Sequence, residues 1–246
     1  ADNFAAHGTL GINLLRVNRL KDARLHLELA HRGHGFDARV VNTLRLLDTL
    51  DGFETYRSQA AVLRISVDEA AVLTPYVVEA IDRARREMAE RYDFVLERPV
   101  VVELYPHHDD FAVRTAGLPG IGILGAAFGD VVVMNGPSAQ SADDFDWANA
   151  LWHELAHVFT LNMTNNLVSR WFSEGVSVFE EWTHGPTPRA SVSMGFIEAY
   201  ADGRLLPIAE LENGFMRPTY PDQIEVSYIQ SGLVCQFIDM NFEQGL

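Results

Sequence analysis

The sequence predicts an α+β fold, with a helical stretch first, a small set of strands next and helices to the end. Three observations carry this prediction. Apolar residues recur at helical spacing through residues 4–50. Short runs rich in β-branched residues stand at 61–65, 100–104 and 131–134, bounded by polar or turn-forming residues. Beyond residue 137 the chain shows long apolar-periodic stretches suited to helices. Strands grouped ahead of helices indicate α+β architecture.

The first helix is expected over residues 4–17, with Phe4, Leu10, Leu14 and Leu15 along it and Val17 at its end. Asn18-Arg19 break it. Residues 20–32 carry Leu20, Ala23, Leu27 and Ala30 at helical spacing, and Gly33 and Gly35 stop that helix. A third helix follows over about 37–50, with Val40, Val41, Leu44 and Leu47. Residues 61–65 read as a strand and 68–91 as a helix. Asp68 and Glu69 enrich the start of that helix, and Arg83, Arg85, Arg86 and Arg91 sit late, where the helix dipole favours cations. Pro75 suits a fresh first turn. The second strand is 100–104, and residues 106–126 read as a loop rich in His, Asp and Gly. The third strand, 131–134, is closed by Asn135-Gly136-Pro137. Asp143-Asp144 then offers a helix start, with Phe145, Ala148, Leu151, Trp152, Leu155, Ala156 and Phe159 as its apolar side.

Composition bounds the function classes. The 246 residues suffice for one large domain, or one domain with a small companion. Hydrophobic residues at 48% and charged residues at 22% are ordinary for a soluble globular chain. No apolar run approaches the roughly 18 residues of a membrane span, and no leader-like segment is visible. A net charge of −15 disfavours nucleic acid and anionic membranes as partners. Cys235 is the only cysteine, so an intramolecular disulfide and a cysteine-built zinc site are excluded. A cytoplasmic and a periplasmic location both fit.

Residues 153–157 read His-Glu-Leu-Ala-His. On a helix, positions i and i+4 share a face, so His153 and His157 can meet one ion. Glu154 lies about 100° round the axis and can overhang that ion without binding it. By chance alone this five-residue pattern arises in roughly one chain of this size in a few hundred. Trp171-Phe172-Ser173-Glu174-Gly175 opens another apolar helix, placing Glu174 seventeen residues after His157. Two His and one Glu leave a fourth position for water, the arrangement of a catalytic zinc site.

His-Glu-Leu-Ala-His followed by Trp-Phe-Ser-Glu-Gly resembles the gluzincin zinc metallopeptidases, and most of all the peptidase-MA-like domains found beside tetratricopeptide repeats. Supporting matches include Phe111-Ala112-Val113-Arg114-Thr115, the Gly-rich run to Phe128-Gly129, and Tyr228-Ile229-Gln230-Ser231. The N-terminal hairpin resembles a tetratricopeptide repeat through Leu10-Gly11, Leu14, Leu20, Ala23, Leu27 and Ala30. The resemblance implies a tetratricopeptide-like region over 1–52. It implies a thermolysin-like zincin domain over 53–246, a small mixed sheet with an edge strand followed by helices. One full repeat and part of another fall short of the about three that a stable array needs. The chain is therefore expected to be cut from a longer protein or to dock this piece on the next domain. Its end soon after a late helix allows for a catalytic domain truncated at the C-terminus.

The resemblance further implies Zn2+ held by His153, His157 and Glu174, with Glu154 as the general base. Tyr228 is expected to donate to the oxyanion, with His184 and Tyr220 as runners-up, against the alternative that Tyr228 merely packs. Glu181, on the Glu174 face, is expected to support a ligand histidine; Glu180 is expected to point to solvent and Ser177 to pack. Strand 131–134 is expected to be the edge that pairs with an extended substrate, against the alternative of an ordinary central strand. His107-His108-Asp109-Asp110 reads as a surface loop rather than a second metal site. Arg114 is expected to hold that loop through Asp109 or Asp110. His31 and His34 read as exposed polar residues, and His26 shares their region.

There are departures from the family pattern. The gap between His157 and Glu174 holds 16 residues, shorter than in thermolysin-like enzymes. The Gly-Ala-Met-Glu-Asn motif that binds a free amino terminus in the aminopeptidases is absent. The corresponding stretch is 125–130, with Asp130 a poor substitute. The expected function is a zinc endopeptidase acting on a peptide or protein substrate. The alternatives are a zinc aminopeptidase and a binding protein in which repeats recognise a protein partner and the peptidase domain is a relic.

Overall fold

The computed structural model describes residues 3–33, 35–120, 122–139 and 146–242. Among them it shows ten α-helices and a five-stranded mixed sheet, an α+β architecture. The chain divides into two units, residues 1–85 with 97–147, and residues 86–96 with 148–246. The expected boundary at 52/53 runs inside the first. No helix among the described residues is long and apolar enough to cross a membrane.

The first unit begins with α1 (Phe4–Arg16), α2 (Leu20–Gly33) and α3 (Ala38–Thr49), where periodicity places them. Asn3 caps α1 by accepting from the Ala6 N–H, and Asp37 caps α3 by accepting from Arg39 and Val40. Leu14, Leu15, Ala23, Leu27, Ala30, Val40 and Leu47 form their common core. Gly11 lets α1 and α2 touch: a Cβ there would stand 2.6 Å from Leu27. Leu10, expected to pack, is exposed, because the contact line of α1 runs through Gly8, Gly11 and Leu15.

The sheet order is β1-β2-β3-β5-β4, built from β1 (Phe53–Arg57), β2 (Ala61–Ser66), β3 (Val100–Tyr105), β4 (Gly125–Phe128) and β5 (Val131–Asn135). β2, β3 and β5 run parallel, with β1 and β4 antiparallel on the flanks. β5 is therefore an interior strand, and the expectation that 131–134 forms the edge is corrected. Its Val-Val-Val-Met side chains are all buried, as a strand covered on both faces requires. The edge on that side is β4, whose Gly-Ala-Ala-Phe lacks β-branched residues and is a strand by pairing alone. α4 (Val67–Arg91) links β2 to β3 and runs unbroken through Pro75, so no fresh turn starts there. The expected loop after β3 contains α5 (His108–Ala116), ended by Gly117 in the left-handed region at φ 77°.

A buried ion cluster ties these pieces together. Glu103 on β3 is fully buried and bonded by Arg114 of α5 at 2.6 Å, by the Tyr105 hydroxyl at 3.1 Å and by Arg64 of β2. Arg114 also donates to the Leu15 carbonyl of α1 at 3.0 Å, and Arg64 to Asn18 at 2.6 Å. Arg114 is thus structural as expected, but its partner is Glu103 rather than Asp109 or Asp110. Burial alone would raise the Glu103 carboxyl; the Arg114 and Arg64 guanidiniums outweigh it and hold the group below the usual carboxylate range.

The second unit holds the end of α4 with α6 (Trp147–Met163), α7 (Arg170–Thr183), α8 (Met194–Ala201), α9 (Leu211–Met216) and α10 (Gln223–Asn241). Asp143, Asp144 and Phe145, the expected start of α6, lie outside the described residues, as does His34. α7 and α10 cross closely at Gly175 and Gly232, where an added Cβ would stand 2.7 Å from the Ser231 carbonyl and 2.5 Å from Val178.

Glu103→Gln should lower unfolding stability by about 3–5 kcal/mol, because it leaves buried guanidiniums uncompensated. Since the folded pKa of Glu103 is depressed, its stabilisation is fully present above the unfolded value near 4.3 and drains as pH falls below it. Urea unfolding at pH 7 and pH 3 measures both effects, and the gap between wild type and variant should narrow at the lower pH.

Candidate metal centre

α6 is amphipathic in an unusual sense: most of it is buried, and its polar residues face α7. Four polar contacts join the two helices, and a fifth reaches Thr187 just beyond the end of α7. Asn149 binds the Thr187 backbone and hydroxyl, at 3.1 and 2.6 Å. Trp152 Nε1 donates to Glu180 at 3.0 Å, and His153 Nδ1 meets Glu181 at 3.3 Å. His157 Nδ1 meets Ser173 Oγ at 2.8 Å, and Thr160 Oγ1 meets the same oxygen at 2.9 Å. This ladder makes α6 and α7 antiparallel and sets their register.

The register converges three side chains. With each Nδ1 engaged, both Nε2 atoms turn to one oxygen, Glu174 Oε2, at 3.5 Å from His153 and 3.0 Å from His157. The ligand atoms of His153, His157 and Glu174 all lie within 4.8 Å of one another. A tetrahedral ion with bonds of about 2.1 Å needs ligand atoms roughly 3.4 Å apart, so the spacing accommodates a cation. Burial opposes a charge on His153, but hydrogen bonds to Glu174 and Glu181 push its pKa up to about 10. Burial would raise Glu174, yet the two imidazoles hold it far below the usual range. The carboxylate field that favours a proton on His153 equally favours a divalent cation between the rings.

Glu154 points into the same region without joining the three. It is buried, and its Oε2 has no hydrogen-bond partner. Burial raises its pKa; His157 and His153 oppose this and Glu174 adds to it. A raised, unpartnered carboxylate beside a cation site suits a base that takes and returns a proton.

Tyr228 comes from α10 and lies beside His153, with ring centroids 6.3 Å apart. It also meets Phe215 nearly perpendicularly at 5.1 Å. Burial and the Glu174 carboxylate push its hydroxyl well above the ordinary value, so it stays protonated and able to donate. The other two residues considered for that role lie elsewhere. His184 has its ring 5.7 Å from that of Phe179 and its Nδ1 3.7 Å from Glu180. Tyr220 lies under the Arg204 guanidinium at 4.7 Å.

Glu180 corrects the expectation of a solvated side chain. It is fully buried, bound by Arg91 at 3.0 Å, the Tyr92 hydroxyl at 2.5 Å and Trp152. Ser177 packs, fully buried. Sequence reasoning missed Ser173 and Arg170, although both stand in the Glu174 segment. Ser173 immediately precedes Glu174, and Arg170 is four residues before it, with Nε 3.3 Å from Glu174 Oε1. Among the described residues His107, His108, Asp109 and Asp110 form no three-ligand group; His108 pairs with Asn135 at 3.1 Å. His26 pairs with His7, their Nδ1 atoms 2.7 Å apart, and His31 is exposed.

Comparison with family models, with curated proteins and with solved structures finds no match.

Gly175→Ala tests the crossing that carries Glu174. Its Cβ would meet the Ser231 carbonyl at 2.7 Å and Cys235 Sγ at 2.8 Å. Thermal unfolding should show a loss of about 1–3 kcal/mol from overpacking, whereas an unchanged midpoint would mean that α7 and α10 have room to spare.

Proposed function

We propose that this chain is a zinc-dependent peptidase, with an endopeptidase as the preferred form. The observation that carries the proposal is the convergence of both imidazole Nε2 atoms on Glu174 beside the buried, unpartnered carboxylate of Glu154. Two nitrogens and a carboxylate oxygen are the donor set of catalytic zinc and leave room for a water. The resemblance of residues 153–157 and 171–175 to the gluzincins supports the same reading, as does the α+β order of a mixed sheet followed by helices.

A zinc ion bound there supplies Lewis acidity toward a water and the scissile carbonyl. Glu154 takes a proton from the attacking water on its free Oε2 and passes it to the leaving amine nitrogen. Tyr228 donates its phenol proton as a hydrogen bond to the developing oxyanion. Glu181 and Ser173 hold the two imidazoles by Nδ1, so neither ring is free to turn away.

Endopeptidase activity is preferred over amino-terminal trimming because Asp130, the nearest counterpart of an amine-binding acid, is engaged by Arg98 at 2.6 Å. Helices α1–α3 are proposed as tetratricopeptide-like and as the part that meets a protein partner.

Metal analysis of the purified chain should find one zinc, lost in Glu174→Gln and retained in Glu154→Gln. A mixed peptide library should be cut internally by wild type and left intact by Glu154→Gln. Tyr228→Phe should lower kcat by about 10²–10³-fold. Stepwise trimming would favour an aminopeptidase, and full activity in Glu154→Gln would sink the mechanism.

A further inference from the structure

Arg170 opens α7 one helical turn before Glu174, on the same face. Its Nε stands 3.3 Å from Glu174 Oε1, the oxygen turned away from the imidazoles, which share Oε2. Its positive charge also acts on the Tyr228 hydroxyl, opposing the rise that burial causes there. It lies 5.6 Å from the centre of the Phe215 ring, the same ring that Tyr228 meets at 5.1 Å. Arg170, Phe215 and Tyr228 therefore form one side of the candidate centre, with half of the Arg170 side chain exposed.

The chemistry of these groups assigns directions to the bonds. A guanidinium has donors and no acceptor. Beside Tyr228 it can only donate to the phenol oxygen, so it makes no claim on the phenol proton. The same guanidinium occupies Oε1 of Glu174, so the carboxylate presents Oε2 to the ring nitrogens. An exposed ion pair at this spacing contributes little to stability, and a lysine could serve it equally well. Contacting two acceptors at once calls for the forked, planar arginine head.

We infer that Arg170 is a positioning residue of the proposed reaction: it leaves Glu174 Oε2 for the cation and the Tyr228 proton for the reacting carbonyl oxygen. This role rests on the peptidase reading, and the test separates the two. The proteins are wild type, Arg170→Met, Arg170→Lys, Tyr228→Phe and the Arg170→Met/Tyr228→Phe double variant, all as the full chain. Zinc affinity is read on metal-stripped protein by competition with a chromophoric chelator. kcat and KM are read on one peptide that wild type cleaves.

Arg170→Met should bind zinc about 10-fold more weakly, with the melting point of the metal-free protein unchanged. Its kcat should fall about 10–100-fold while KM stays within about 2-fold. Arg170→Lys should recover part of the zinc affinity and little of kcat. In the double variant the kcat losses should overlap rather than multiply. Wild-type zinc affinity in Arg170→Met, or fully multiplying losses, overturns the role. If wild type binds zinc but cleaves no peptide, the peptidase reading falls while the zinc measurement still decides Arg170. If wild type binds no zinc, both fall.

Discussion

A carboxylate buried away from water must be met by donors from several directions, and Glu180 is met from two other helical segments at once. Arg91 and Tyr92 reach it at the end of α4, and Trp152 reaches it from α6. Breaking such a buried pairing costs about 3–5 kcal/mol, so α6 and α7 are held to one register. The consequence appears one residue along each helix. Trp152 precedes His153 and Glu180 precedes Glu181, so the contact that satisfies the first pair brings the second together. A slip by one position would turn a side chain by about 100° and carry both histidines off Glu174. The charge cluster that stabilises the second unit is therefore the frame of the candidate metal centre.

The close crossing of α7 and α10 completes that frame. Gly175 and Gly232 allow backbone approach at a distance no Cβ permits. This brings Tyr228 to His153 and Phe215. The residues with chemical roles then divide by environment. Glu174 sits among hydrogen-bonding imidazoles that hold it low, whereas Glu154 sits buried with a free oxygen and is pushed up. Two carboxylates on neighbouring helices thus differ in acidity, which suits the separate ligand and base roles proposed for them.

Much of this was legible in the sequence wherever a single element carried the signal. The i, i+4 histidines, the three N-terminal helices and the strands at 61, 100 and 131 follow from periodicity that a helix or strand imposes on itself. The losses came where structure depends on a partner. β4 has no strand-like composition and exists through its pairing with β5, so the edge was assigned one strand too far inward. Glu180 and Glu181 look alike in sequence, and only the location of Arg91, Tyr92 and Trp152 decides which is buried. α5 was missed although Asp109, Asp110, Arg114 and Gly117 supply its start and stop signals, because its histidines and glycines drew the reading toward a loop. Ser173 and Arg170 carry no signal alone; each matters through what it touches.

The central claim is that the α6–α7 register presents His153, His157 and Glu174 to one metal ion. X-ray absorption spectroscopy on the zinc-loaded chain tests it most directly. The account predicts two imidazole nitrogens and oxygen donors at roughly 2.0–2.2 Å, with no sulfur scatterer. Loss of the imidazole pattern should follow in His157→Ala. A sulfur shell, or a spectrum unchanged by that substitution, would contradict it.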